Sequence, residues 1–269
     1  EYIFLEITQM EKIQQALERA KEQRKNIERT ASVHQEQSVD VQSINYTKTQ
    51  SMDGHMETQR NNRILSAMEH SAYADAFKIL STQVIQRMAE HHWNSLGITS
   101  VAEDEGKTTT AINLGISIAK EIEYTVLLVD ANLRKPEIHS YFGISPKLGL
   151  SDYLQQDIDL ADVLIKPSEV DHLVILPGGT PILHSTEMLG SPKMCTLAKE
   201  LKERYPKRII IFDLPPVLST ADTLSFTPCL DCALVVVEDD VTKDADLKET
   251  IELLSVTNIL GTVLNKAKY

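Results

Sequence analysis

From residue 63 onward, short apolar runs rich in β-branched residues alternate with amphipathic helical stretches, and this alternation leaves the chain few folds to choose from. Strands are expected at residues 96–101, 125–129, 173–176, 208–212, 232–237 and 261–264. Helices are expected at 72–88, 107–122, 150–155, 192–204 and 243–255. Runs such as Val-Leu-Leu-Val at 126–129 and Ala-Leu-Val-Val-Val at 233–237 have no polar face. Such strands are buried on both sides, which requires a parallel sheet covered by helices above and below. The expected fold is doubly wound α/β with a mostly parallel sheet, and ligands belong at the carboxyl ends of its strands.

The first of these strands runs into Glu103-Asp104-Glu105-Gly106-Lys107-Thr108-Thr109 and then a helix. A phosphate-binding loop needs main-chain N–H groups turned into one concavity, which glycine permits, and a helix N-terminus behind them. In that reading Lys107 reaches the β- and γ-phosphates and the Thr108 hydroxyl ligates Mg²⁺. The strict pattern has another glycine five residues before Gly106, where this chain has Val101. Two further strands end in acids: 125–129 in Asp130 and 208–212 in Asp213. Two carboxylates at strand ends beside a Gly-Lys-Thr loop are what Mg²⁺ coordination of a nucleotide requires, making this a P-loop NTPase. No Ser-His-Asp arrangement has a nucleophile-elbow context.

The formal net charge is -12, which disfavours a nucleic-acid surface. Cys195, Cys229 and Cys232 suggest reduced thiols in a cytosolic protein, and the Cys229-x-x-Cys232 spacing lacks a second pair for zinc. No apolar run reaches the ~18 residues of a membrane span, and residues 2–5 are too short for a secretory signal. Residues 1–30 are expected to hold an amphipathic helix at 10–27, with Met10, Ile13, Leu17 and Ala20 on one stripe. Residues 31–62, rich in Gln, Ser, Thr and Asp, are expected to be a flexible linker, and 63–269 the nucleotide-binding domain.

Here a resemblance becomes specific. Val-Leu-Leu-Val-Asp-Ala-Asn-Leu-Arg-Lys-Pro-Glu-Ile-His-Ser-Tyr-Phe at 126–142 resembles the second Walker motif of bacterial tyrosine kinases. These are cytoplasmic autokinases of exopolysaccharide and capsule synthesis, related to the MinD and ParA ATPases. The likeness continues through Gly149-Leu150-Ser151-Asp152-Tyr153-Leu154, Leu176-Pro177-Gly178-Gly179, Glu187-Met188-Leu189-Gly190-Ser191-Pro192, Phe212-Asp213-Leu214-Pro215-Pro216-Val217-Leu218 and Gly261-Thr262-Val263-Leu264-Asn265. The segment 10–24 is similar to the N-terminal helix of the branch associated with exosortase-type systems.

The resemblance implies roles residue by residue. The backbone around Glu105 and Gly106, with Lys107, Thr108 and Thr109, holds ATP. Thr108, Asp130 and Asp213 serve Mg²⁺, Asp213 as the Walker B carboxylate. Lys107, Asp130, Asn132 and Arg134 serve transfer of the γ-phosphate to a tyrosine, and Asn265 contacts the adenine edge. The implied partner is the cytoplasmic part of a membrane polysaccharide copolymerase, which would bring the protein to the inner face of the membrane, and a homo-oligomer is expected.

The chain also departs from the family. Glu103 and Asp104 replace the loop's usual Pro-Gly, placing three acids in a row with Glu105. A carboxylate ~8 Å from a phosphate charge costs about 2 kcal/mol at an effective dielectric of ~20, which would weaken ATP binding. Asn132 stands where relatives carry a second Asp, and an amide orients a hydroxyl without acting as a base. Asp75, Lys78 and Ser81 stand where many relatives have Glu-x-x-Arg-x-x-Arg, which disfavours ring assembly. Where the family has a tyrosine-rich tail, Tyr269 is the tail acceptor expected here. Three functions follow from these features: a tyrosine autokinase of reduced activity, an ATP-binding regulator of the copolymerase with degenerate catalysis, or a MinD/ParA-like ATPase. The last wants a second lysine near Ala102, which this chain lacks.

Overall fold

The computed structural model describes residues 49–68, 71–121, 123–204 and 207–267. The helix expected at 10–27 and the acceptor candidate Tyr269 lie outside the described residues. Eight strands form one sheet in the order β1-β4-β5-β3-β6-β2-β7-β8. They are β1 (Gln50–Met52), β2 (Ser95–Ser100), β3 (Thr125–Asp130), β4 (Ile165–Pro167), β5 (Leu173–Leu176), β6 (Arg208–Asp213), β7 (Cys232–Glu238) and β8 (Asn258–Asn265). The six from β5 to β8 in the sheet order are parallel. At one edge β4 pairs antiparallel with β5, and β1 pairs parallel with β4.

Alternate residues along each central strand feed two cores, as a period of two dictates. Val126, Leu128, Ile209 and Ile211 face a cluster shared with α2 (Ala72–Glu90) and α3 (Lys107–Ala119). Leu127, Val129, Ile210 and Phe212 face a second cluster with Met194, Leu197 and Leu201 of α8 (Pro192–Arg204). The doubly covered parallel sheet expected from unbroken apolar runs is therefore present. Helix α3 ends at Ala119, shorter than the expected 107–122, and all its residues except Thr109 are buried.

Short elements absent from the sequence reading fill the connections. They are α1 (Met56–Asn61), α4 (Ile138–Phe142), α6 (Leu160–Val163), α7 (Ser185–Leu189) and α9 (Asp222–Phe226). The expected helix at 150–155 is α5 (Leu150–Gln155), and that at 243–255 is α10 (Asp244–Leu253) followed by a 3₁₀ turn (Leu254–Val256). In α2 the buried stripe is Phe77, Ser81, Val84 and Met88, whereas Ile79 is exposed. Ser81 bonds to Ser117 of α3 at 2.9 Å, so this polar residue belongs to the face packed on α3. The position compared above with the family's second Arg therefore faces inward.

Two expectations are corrected. The linker assigned to 31–62 ends earlier, because residues 50–61 form β1 and α1. Both backbone and side chains of the segment are hydrogen-bonded: Gly54 N–H donates to Glu169 Oε1 (2.6 Å), His55 N–H to Phe142 O (2.9 Å), and Gln59 is fully buried with Ser66 donating to its amide oxygen. A composition poor in apolar residues hid an edge strand held largely by its backbone. Cys195 and Cys229, expected as free thiols, form a disulfide, because α8 packs beside the 3₁₀ turn Thr227–Cys229 and brings the Cα atoms to 5.6 Å. Cys232 stays a thiol inside β7, pushed up to about 12 first by burial. Among the described residues no helix is long and apolar enough to cross a membrane.

Candidate nucleotide site

The pairing of β3 with β6 places Asp130 directly opposite Asp213, and β6 also lies beside β2, whose end opens the Gly106-Lys107-Thr108 loop. Sheet register alone thus gathers the two acids and the loop at the carboxyl edge. The Thr108 hydroxyl donates to Asp213 Oδ2 at 2.7 Å, and Lys107 Nζ lies 3.0 Å from Thr108 Oγ1 and 3.7 Å from Asp213 Oδ1. Asp130 Oδ2 accepts the Ile138 N–H at 3.0 Å. Both acids are buried, and Oδ1 of each accepts no hydrogen bond.

Burial pushes the Asp130 carboxyl up to about 8, with the Asp213 carboxylate across the strand pair adding to it. Burial also raises Asp213, against the pull of Lys107 and Thr108. Asp213 is the better served of the two, accepting the Thr108 hydroxyl and facing the Lys107 ammonium, whereas the direct donors to Asp130 are main-chain amides.

Two buried carboxylate oxygens that accept no hydrogen bond, with a hydroxyl beside them, are a hard-oxygen donor set that fits Mg²⁺. No group of three His, Cys, Asp or Glu side chains gathers among the described residues, so a metal here would share phosphate oxygens and water, as Mg²⁺ does.

The loop's three acids have separate fates. Glu105 is buried and turned to the base of the loop, where its carboxylate accepts the Ala102 N–H (2.9 Å) and the Thr242 hydroxyl. Glu103 and Asp104 are exposed to solvent. Asp104 has φ +63°, the left-handed conformation that glycine adopts without strain. Lys135 carries a raised pKa, first from its hydrogen bond with Glu137 and in smaller part from the nearby Asp104 and Glu103. Gly106 has φ +94°, and a Cβ there would lie 2.0 Å from Asn265 Nδ2. That amide donates to Glu105 O at 2.8 Å, and Lys266 Nζ donates to Asp104 O at 2.7 Å, so the end of β8 braces the loop from behind.

Asn132 is nearly buried on the turn after β3, and Thr109 is half-buried on the first turn of α3. Arg134, on the same turn as Asn132, is drawn to Asp222: its Nε donates to Oδ2 at 3.2 Å and its Nη2 to Oδ1 at 3.5 Å. Asp222 also accepts the hydroxyls of Ser185 and Thr186. Sequence reasoning missed Asp222, because an acid in the first turn of a helix reads as a dipole partner.

A family model described as the CobQ/CobB/MinD/ParA nucleotide binding domain matches residues 96–269. The tyrosine-protein kinase YwqD of Bacillus subtilis (strain 168) is 29% identical over 211 residues, spanning 78% of this chain and 87% of that one. The succinoglycan biosynthesis transport protein ExoP of Rhizobium meliloti (strain 1021) is 29% identical over 222 residues, 81% of this chain but 28% of ExoP. The kinase domain of the Escherichia coli tyrosine kinase ETK superposes with a TM-score of 0.69 at 25% identity, covering 76% of this chain and 81% of that domain.

Proposed function

The chain belongs to the CobQ/CobB/MinD/ParA nucleotide-binding family, and on that premise we propose that it is an ATP-dependent protein-tyrosine autokinase of exopolysaccharide or capsule synthesis. The observation that carries the reading is the convergence of Lys107, Thr108, Asp130 and Asp213 at one sheet edge. The names of YwqD and the ETK domain support tyrosine as acceptor, and ExoP's name supports the polysaccharide setting.

Amides of the 105–109 loop cradle the phosphates, and Lys107 neutralises the β- and γ-oxygens. Thr108, Asp130 and Asp213 would hold Mg²⁺, which when bound supplies charge neutralisation to the phosphate oxygens. Asp130 and Asn132 orient the incoming phenol, and Arg134 answers the charge of the transferring group. Phosphoryl transfer is chiefly positioning and electrostatics, so an Asn in place of a second Asp slows the step rather than abolishing it. Asn265 sets the wall beside the adenine. In this reading the protein acts in the cytoplasm, docked on the cytoplasmic part of a membrane polysaccharide copolymerase.

Purified protein incubated with Mg²⁺ and ATP should gain phosphotyrosine, seen as a phosphoryl mass increment in intact-protein spectrometry and lost in Lys107→Ala. Asn132, which cannot take a proton, favours a second reading as an ATP-binding regulator of the same copolymerase. Calorimetric ATP binding with no mass increment would select it, and no binding at millimolar ATP would refute both.

A further inference from the structure

Asp222 is a charged side chain with no exposure, and its partners are unusual for a residue that begins a helix. A carboxylate in a first turn ordinarily caps its own backbone amides. Here all its partners come from elsewhere: Arg134 from the turn after β3, and Ser185 and Thr186 from α7. One carboxylate thus ties together three separate segments around the candidate site. The Arg134 side chain is 43% exposed, although the acid that holds it is fully buried. A guanidinium has five N–H groups in a planar fork. Asp222 takes the Nε and Nη2 edge, which leaves the Nη1 donors free of this clamp.

We propose that Asp222 is a positioning residue for phosphoryl transfer: it grips Arg134 by one edge so that the other edge is held ready for the oxygens of the transferring phosphoryl group. This rests on the kinase reading above. Arginine suits the task because the bidentate contact fixes the plane of the fork as well as its place. The Ser185 and Thr186 hydroxyls donate to the same two oxygens, so the carboxylate is held from a second side.

The test has two arms. In ¹⁵N spectra of the full chain, the Arg134 Nε–H, identified by its disappearance in Arg134→Lys, should be protected from exchange and should lose that protection in Asp222→Asn. In the kinetic arm, Asp222→Asn should lower kcat for autophosphorylation about 10²-fold with the ATP Kd at its wild-type value. Arg134→Ala should do the same, and the double variant should be no slower than Arg134→Ala alone. Thr186→Val leaves the Arg134 contact in place and should lose far less kcat than Asp222→Asn. Additive effects in the double variant, or an equal loss in Thr186→Val, would mean that Asp222 is only structural and would overturn the proposal. A wild type that incorporates no phosphate refutes the kinase reading and the transfer role with it, and the Nε–H signal then decides whether the clamp exists. An exchange-labile Nε–H in the wild type refutes the clamp under either outcome.

Discussion

Asp130 should make the metal-free protein less stable as the pH rises, and Asp130→Asn should remove that dependence. The unfolded carboxyl titrates near 3.8 and the folded one near 8. Between those values the folded state keeps a proton that the unfolded chain has released. Stability therefore falls with rising pH, by about 1.4 kcal/mol per unit in the middle of the window. From pH 5 to pH 7 the loss is about 3 kcal/mol, and Asn, which can still accept the Ile138 N–H, does not suffer it. Histidines and acids remote from the site titrate alike in both proteins and cancel, whereas Asp213, which interacts with Asp130 across the strand pair, is read together with it. The assay is urea unfolding in EDTA at the two pH values, followed by the fluorescence of Trp93, the one tryptophan of the chain. The advantage of Asp130→Asn over wild type should grow by that amount between pH 5 and pH 7. An advantage that is constant or shrinks would show that the strand-end acids are solvated and that the electrostatic picture of the site is wrong. Mg²⁺ with ATP should flatten the wild-type slope by holding the ionised form, with a much smaller effect on the variant.

Three other outcomes are expected. Glu103→Pro with Asp104→Gly should tighten Mg²⁺-ATP binding in calorimetry, because it removes two exposed anions and relieves a left-handed Asp at φ +63°, worth roughly 1 kcal/mol; equal or weaker affinity would refute this. Gly106→Ala should lower thermal stability by about 2 kcal/mol, and Asn265→Ala in the same chain should recover the part due to the 2.0 Å overlap but not the part due to φ +94°. Thiol titration in denaturant should find one reactive group, Cys232, before reduction and three after it; three at the outset would contradict the Cys195–Cys229 bridge.

The parts of this molecule that were legible in the sequence share one property: local chemistry dictates them. Val126–Val129 is apolar on both faces whatever its neighbours are, so its burial in a covered sheet follows. An Asp that ends such a strand must lie at the rim, and so Asp130 and Asp213 were found. What escaped depends on contacts far apart in the chain. β1 has no apolar pattern because it lies at an edge and is held by its backbone against β4. Glu105 looked like a third anion facing phosphate until Ala102 and Thr242, the latter 137 residues away, turned it inward. Ser81 of α2, polar in any local reading, lies on the buried face because it meets a serine on another helix. Asp222 and Cys195 were illegible for the same reason, since each is defined by a partner that only folding supplies.

The strip of chain at 50–61 closes the sheet's far side, and this bears on how the protein is trimmed for the bench. A version cut at residue 63, where the composition changes, would strip β4 of its outer neighbour and leave Phe142 O and Glu169 without the donors that His55 and Gly54 provide. Raw β-edges recruit one another, so such a fragment would be prone to clump, and oligomers seen with it would report the scissors rather than the molecule.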